Sequence, residues 1–99
     1  MPSPIPILVQ NQLQALGARL ATARKAREMT QGELARLAGL GLSTVVSLEA
    51  GHAGVSVGNL LKAIDALGLL GSVQDWLRPD QDPELLAFAQ RRLDGGRGP

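Results

Sequence analysis

The sequence lacks several residue types, and each absence excludes a class of protein. The 99-residue chain contains no cysteine, which excludes disulfide-stabilised folds and thiolate metal sites. It contains no tyrosine and only one tryptophan and one phenylalanine. Leucine and alanine must therefore fill the core, which favours packed helices over an aromatic-rich β-sandwich. The length allows one small domain with a modest core.

Long apolar segments are also missing. No run approaches the roughly 18 consecutive apolar residues of a membrane span, and the N-terminus lacks a basic segment followed by a hydrophobic run. We therefore expect a cytoplasmic protein without a membrane span or a signal peptide.

The sequence patterns of enzyme sites are absent as well. The chain has a single histidine, His52, and no HExxH, GxSxG or glycine-rich phosphate-binding motif. A lone histidine without partner ligands does not make a metal site. We expect no catalytic activity, no cofactor and no bound metal.

Charge is unevenly distributed although the net charge is only +1. Residues 1–54 contain five basic and three acidic side chains, whereas residues 55–99 contain five basic and six acidic ones. The positive bias of the first half is compatible with a surface that faces phosphates. Ordinary solvated charge would explain the same bias.

The stretch Thr30–Gly51 contains the most informative pattern in the chain. Leu34, Ala35 and Ala38 form a compact apolar face of the kind that a helix buries. Gly39 then stands where that helix must end, because glycine adopts the left-handed conformation without steric cost. Thr30 and Glu33 have the spacing of a capping box at the start of the same helix.

A second short helix is predicted directly after this turn. Val45 and Leu48 are spaced as i and i+3, and Gly51 ends the stripe. Two helices of about two turns, joined by a turn of three or four residues, are typical of a helix-turn-helix. The second helix of that motif enters the major groove of DNA.

The chain resembles the XRE family of helix-turn-helix regulators, the Cro/CI type of phage repressors and bacterial regulators, over about residues 13–70. The residues in register with the family pattern are Leu16-Gly17, Arg24, Gln31, Leu34-Ala35, Gly39, Ser43-Thr44, Val45, Leu48, Glu49, Gly51, Ser56, Leu60-Leu61 and Ala66-Leu67-Gly68. The resemblance implies an all-α, lambda-repressor-like bundle of about five helices with a short C-terminal extension.

We predict three segments from these patterns. Residues 1–9 form an N-terminal arm because three of the first six are prolines. Residues 10–78 form the DNA-binding domain. Residues 79–99 form an extension with a helix over 84–93 and a disordered end.

Within the domain, the first helix is expected to begin between Gln10 and Leu13 and to end near Glu28. Ser56 is expected to cap a fourth helix, since an apolar stripe follows it. A short fifth helix is expected over Ser72–Leu77, before Pro79.

The resemblance also implies which residues contact DNA. In the family, the residue at the place of Gln31 touches the backbone, and the arginine at the place of Arg24 pairs with the glutamate at the place of Glu49. Such a pair could leave one edge of the arginine toward a phosphate. His52 is as consistent with an uninvolved surface residue as with a phosphate contact. The candidate DNA-binding residues are Arg24, Gln31, Arg36, Leu42, Ser43, Thr44, Val46, Ser47 and His52.

The expected recognition helix, from Leu42 to Ala50, departs from the family pattern. It contains no Arg, Lys, Asn or Gln, so it cannot make the bidentate contacts that read guanine or adenine. Leu42 and Val46 can meet thymine methyl groups. We therefore expect modest direct readout, with more weight on phosphate contacts and DNA shape.

The leading hypothesis is a sequence-specific regulator of transcription, a homodimeric repressor that binds a near-palindromic DNA operator. Trp76 is either the last piece of the core or, with Leu77, the anchor of the dimer interface. The size of the chain, the segment ALGLL-x-x-VQDWLRP and the tail DPELLAFAQRR also resemble small antitoxins of the HipB type, which implies a HipA-like kinase toxin as partner. The alternative hypothesis is a protein-interaction module that uses the helix-turn-helix fold as a scaffold without reading DNA.

Overall fold

The computed structural model describes residues 4–96, which contain helices and no strand. The α-helices are α1 (Ile7–Ala26), α2 (Gln31–Ala38), α3 (Leu42–Ala50), α4 (Val57–Ala66) and α5 (Pro83–Gly96). Two short 3-10 segments, Leu70–Asp75 and Pro79–Gln81, lie between α4 and α5. The all-α prediction is confirmed.

Local hydrogen bonds determine where α2 begins and ends. The hydroxyl of Thr30 accepts a bond from the amide of Glu33 at 3.0 Å, and the Glu33 carboxylate accepts one from the amide of Thr30 at 3.3 Å. This reciprocal capping box satisfies two amides at the start of the helix. At the other end Gly39 has φ 70°, and the amide of Leu40 donates to the carbonyl of Ala35.

The core lies where α1 to α4 meet. Leu34 of α2 and Val45 of α3 are completely buried at its centre. Burial of each such side chain contributes about 1.5–3 kcal/mol. The other core residues are Leu20, Ala35, Leu48, Ala63, Ile64 and Leu67.

Helices α1 and α3 approach each other closely enough that their backbones touch. A Cβ atom on Gly17 of α1 would lie 2.5 Å from the carbonyl oxygen of Glu49 and 2.6 Å from that of Leu48. Gly51, which ends α3 with φ 77°, would likewise place a Cβ 2.7 Å from the backbone of Gln14. Glycine at both positions therefore allows the short distance between α1 and α3.

The N-terminal boundary of α1 differs from the sequence prediction. The helix begins at Ile7 rather than between Gln10 and Leu13, so residues 7–9 belong to it and not to an arm. Pro6 precedes the first turn, where its missing N–H is not needed, and its carbonyl accepts the amide of Gln10. Residues 1–3 of the predicted arm lie outside the described residues.

The C-terminal region also differs. The helix predicted over Ser72–Leu77 is a 3-10 segment that begins at Leu70 and ends at Asp75. The predicted helix 84–93 extends through Gly96, so the disorder expected for residues 94–96 is wrong. A bond from Gln90 to Asp94, 3.1 Å long, spans the added turn. The disorder predicted for residues 97–99 concerns positions outside the described residues.

Between residues 4 and 96, no helix combines the length and the apolar character needed to cross a membrane.

The close approach at Gly17 gives a test of the packing. We expect Gly17→Ala to lower the free energy of unfolding by about 1–3 kcal/mol, because the added methyl group must displace backbone rather than a flexible side chain. Urea unfolding followed by circular dichroism measures this change. Gly58→Ala in α4 is the matched control, since its Cβ would meet only the Ser56 hydroxyl at 4.0 Å. The control should be neutral or stabilising by up to about 1 kcal/mol. Equal effects at both sites would contradict the packing described here.

Candidate nucleic-acid interface

The recognition helix α3 presents a mostly exposed face opposite its buried one. Val45 and Leu48 point into the core. The outward face contains Leu42, which is 54% exposed, and Val46, which is 44% exposed, beside two serines. This division follows from the helical spacing, since residues three and four apart share a face.

A polar groove lies between α3 and the beginning of α4. Its volume is about 440 Å³. Three of its lining residues come from α3, and the rest come from the loop after α3 and the first turn of α4. They are Ser43, Thr44, Ser47, His52, Gly54, Val55, Ser56 and Asn59. The structure thus brings together four of the predicted DNA-binding residues, three of them with hydroxyl groups.

The helix starts of α2, α3 and α4 differ in how their amides are satisfied. Thr30 caps α2, and the Ser56 hydroxyl caps α4 by accepting the amide of Asn59 at 3.1 Å. Gly41, at the same position of α3, has no side chain with which to cap. The Thr44 amide donates to the Gly41 carbonyl at 3.2 Å, so the amides of Leu42 and Ser43 are those that stay available to an anion such as a phosphate.

A buried polar network holds α3 in place behind this surface. The guanidinium of Arg24 in α1 donates to both carboxylate oxygens of Glu49 in α3, with Nε–Oε2 2.7 Å and Nη2–Oε1 2.9 Å. Its Nη1 donates to the carbonyl oxygen of Met29 at 2.8 Å. Gln31 of α2 adds a bond from Nε2 to Glu49 Oε1 at 3.1 Å. Three helices are thereby joined at one carboxylate.

The network shifts the protonation equilibria of both charged groups. Burial by itself would raise the pKa of Glu49, but the bonds from Arg24 and Gln31 and the nearby positive charge outweigh it. The pKa of Glu49 therefore lies below its ordinary value. The hydrogen bond to Glu49 likewise raises the pKa of Arg24. Both groups are charged at neutral pH.

This geometry revises the role of Arg24. The residue was predicted to pair with Glu49 and also to offer an edge to a phosphate. Only 8% of it is exposed, and each of its three guanidinium nitrogens already donates to a protein acceptor. We therefore assign Arg24 to the internal pair and not to the DNA surface.

The remaining predicted residues lie at different depths. Gln31 is half-buried beside Glu49, and one of its two amide protons is used there. Arg36 is exposed on α2. Trp76 and Leu77 are exposed. They border an open groove with residues of α1 and line no part of the polar groove.

Sequence inspection missed Asn59 as a site residue. It stands in α4, half-buried on the wall of the polar groove, and carries the amide that the recognition helix lacks. The only local signal was its position three residues after the capping Ser56, which places it in the first turn of α4. Its place on the same groove as Ser47 results from the packing of α4 beside α3.

Comparisons with known proteins agree with this arrangement. The family described as helix-turn-helix matches residues 20–70, which is about half of the chain and contains α2, α3, α4 and the core. The chain belongs to the helix-turn-helix family. The XRE-type resemblance seen in the sequence is thereby confirmed at the family level.

One curated relative of this helix-turn-helix protein is an uncharacterized HTH-type transcriptional regulator, y4mF, of Sinorhizobium fredii. It is 40% identical over 53 residues, which cover 54% of this chain and 70% of the relative. No solved structure matches the chain.

The Arg24–Glu49 pair predicts a specific pH dependence of stability. Because the pKa of Glu49 is lower in the folded protein than in the unfolded chain, the pair stabilises the fold fully above the unfolded-state value of about 4.3. This stabilisation is lost as the pH falls through the folded-state value. We expect Glu49→Gln to cost about 3–5 kcal/mol at neutral pH, since it leaves Arg24 buried without a counter-charge. The loss in free energy of unfolding caused by Glu49→Gln should become smaller at acidic pH, where Glu49 is protonated in the unchanged protein as well.

Urea unfolding at a series of pH values, followed by circular dichroism, measures this difference. Glu28→Gln removes an exposed carboxylate and is the matched control. Its effect should be within about 0.5 kcal/mol at every pH. A Glu49→Gln cost that stays constant into strong acid would show that the pair does not control stability.

Proposed function

We propose that this protein is a sequence-specific double-stranded DNA-binding regulator of transcription, acting as a homodimeric repressor on a near-palindromic operator. The observation that carries the proposal is the recognition helix α3, which is fixed from behind by the Arg24–Glu49 network and open on its outer face. The relative's printed name, an HTH-type transcriptional regulator, supports the same function.

In the proposed complex, α3 lies in the major groove with its outer face toward the base edges. Leu42 and Val46 contact thymine methyl groups. The hydroxyls of Ser43 and Ser47 bond base edges or nearby phosphates. Specificity from these side chains is modest, because a hydroxyl both donates and accepts.

Asn59 supplies a second kind of readout. A carboxamide can bond the N6 and N7 positions of adenine together, and Asn59 lies on the wall of the groove that α3 also lines. The side chain thus compensates for the absence of amide and guanidinium groups in the recognition helix. We assign to it the largest single contribution to base discrimination.

Phosphate binding in this proposal relies more on backbone amides and hydroxyls than on cations. The uncapped first turn of α3 and the Thr44 hydroxyl lie at one side of the polar groove, and His52 lies at another. Arg36 is the exposed cation on α2. Gln31, with one amide proton left after bonding Glu49, completes the set.

The homodimer in this proposal suits the geometry of operator recognition. One short helix reads only a few base pairs, whereas two copies read half-sites centred about 34–36 Å apart in successive turns of the duplex. We place the dimer contacts in the region of Trp76 and Leu77, which lies outside the domain core.

The narrower hypothesis of a HipB-like antitoxin stays a prediction, and so does the alternative of a protein-interaction module. An observation that favours protein binding is the exposed apolar surface around Trp76 and α5. A gene for a HipA-like kinase beside the gene for this chain would support the antitoxin hypothesis. Co-purification of the two proteins would establish it.

The regulator function predicts a salt dependence whose size reports how many phosphates are neutralised by cations such as Arg36. Duplexes from the region upstream of the gene should bind at low salt, with affinity falling on a log–log plot at a slope of about −0.9 for each phosphate neutralised. Fluorescence anisotropy across a salt series measures this slope. A slope near zero, or no binding to any such duplex at low salt, would overturn the proposal in favour of protein binding.

Point variants separate base readout from phosphate binding. Asn59→Ala should weaken the binding free energy for the best operator by about 1–3 kcal/mol and reduce the preference for that operator over scrambled duplexes. Arg36→Ala should weaken binding to both duplexes equally and reduce the salt slope by about 1. Arg91→Ala removes the same charge from α5 and is the control. If Arg36→Ala changed sequence preference and Asn59→Ala did not, the proposed docking would be wrong.

A further inference from the structure

The C-terminal helix α5 packs on none of the helices α1 to α4 extensively in the part of the chain that the structure describes. It contacts the neighbouring 3-10 segment Pro79–Gln81 and no other element extensively. Its large apolar side chains are Leu85, Leu86, Phe88 and Leu93, and each is exposed by more than a third. An isolated helix of this length is marginal in water unless an apolar face is covered.

The connection before α5 directs the helix away from the domain. The radius of gyration is 18.3 Å and the longest dimension 63 Å, whereas a compact chain of this length has a radius of gyration near 13 Å. Prolines at 79 and 83 restrict the connection. Arg78 bonds both Asp75 and Asp80, and the Asp82 carboxylate caps the first turn of α5. Helix α5 therefore projects away from the core formed by α1 to α4.

The same chain contains an apolar groove that nothing covers. It lies between the N-terminal half of α1 and the segment after the first 3-10 turn, and its volume is about 500 Å³. Its apolar lining consists of Val9, Leu13, Leu16, Trp76 and Leu77. Leu77 is 99% exposed and has φ 55°, a conformation that leucine rarely adopts. A strained and fully exposed leucine gains from a partner that buries it.

Charges on the two surfaces are compatible with contact. Residues 7–18 of α1 carry no charged side chain, so an apolar helix can cover them without desolvating a charge. Arg19 is the charged residue that lines the groove, and Glu84 stands in the first turn of α5. Docking with the first turn toward Arg19 would place opposite charges together.

We propose that α5 of one copy docks in the groove formed by α1, Trp76 and Leu77 of a second copy. The α5 helix of the second copy docks in the same groove of the first. This exchange rests on the homodimer of the proposed function and specifies how that dimer is held. Each chain supplies one unfilled groove and one uncovered helix, so a two-fold arrangement satisfies both surfaces of both chains. An unrelated partner that filled the groove would leave α5 exposed.

Disulfide trapping tests the exchange. Because the chain has no native cysteine, any disulfide must join the introduced cysteines. Gln12→Cys, which lies in the lining of the groove, is made in one preparation of the full chain. Ala89→Cys, on the face of α5 between Leu85 and Leu93, is made in a second preparation with a different affinity tag. After mixing and mild oxidation, we expect a disulfide-linked dimer that contains both tags.

In the control, Arg36→Cys replaces Gln12→Cys. Arg36 lies on α2 and not in the groove lining, so this mixture should give little of the dimer with both tags.

Other arrangements give other products and would overturn the exchange. A monomeric disulfide in the double variant Gln12→Cys/Ala89→Cys would show that α5 folds back onto its own groove. A disulfide between two Ala89→Cys chains that outcompetes the mixed one would show that the helices pair with each other. A chain that sediments as a monomer at every concentration would overturn both the exchange and the homodimer.

The strength of the contact is tested on the full chain without cysteines. Phe88→Asp should raise the dimer dissociation constant about 30-fold or more, the cost of losing one anchor residue. Ala87→Asp adds the same charge on the opposite, exposed face of α5 and should change the constant much less. Equal dissociation constants for both variants in sedimentation experiments would overturn the exchange. Operator binding is measured separately, so a dimer that crosslinks but binds no duplex contradicts the DNA function alone.

Discussion

The buried contact of Arg24 with Glu49 is the constraint on which the rest of the structure depends. The carboxylate of Glu49 in α3 accepts hydrogen bonds from Arg24 of α1 and from Gln31 of α2. A buried ion pair contributes little net stability compared with apolar side chains of the same size, because both charges lose their hydration. Its value here is geometric. The pair requires one angle and one register for the recognition helix, and any other placement leaves a buried charge unpaired.

That requirement explains two other features of the domain. The pair can form only if α1 and α3 lie very close, and Gly17 and Gly51 provide the space at the two ends of the contact. The pair also uses the nitrogens of Arg24, the most deeply placed cation of the domain. The surface proposed to face DNA is rich in hydroxyls and poor in positive charge. Discrimination in the proposed complex then depends on Asn59 and on methyl contacts from α3.

The small size of the core has its own consequence. Aliphatic side chains alone fill it, and the tryptophan and phenylalanine are both left at the surface in the C-terminal third. Aromatic side chains bury more apolar area than any other type, so their exposure indicates a surface that is completed by association. Reciprocal exchange of α5 would bury Phe88 and Trp76 together and place the two recognition helices under one symmetry axis.

The sequence alone determined the elements whose causes are local. The capping box of Thr30 and Glu33, the left-handed Gly39 and the apolar spacing fixed the helix-turn-helix, because each depends on neighbours within a few residues. The tertiary structure decided everything that depends on distant contacts. It buried Arg24, brought Asn59 beside α3, and left α5 projecting without a partner. Those outcomes arise from contacts between side chains of different helices. Residue spacing along the chain does not show whether a donor such as Arg24 will bond inside the protein or face solvent.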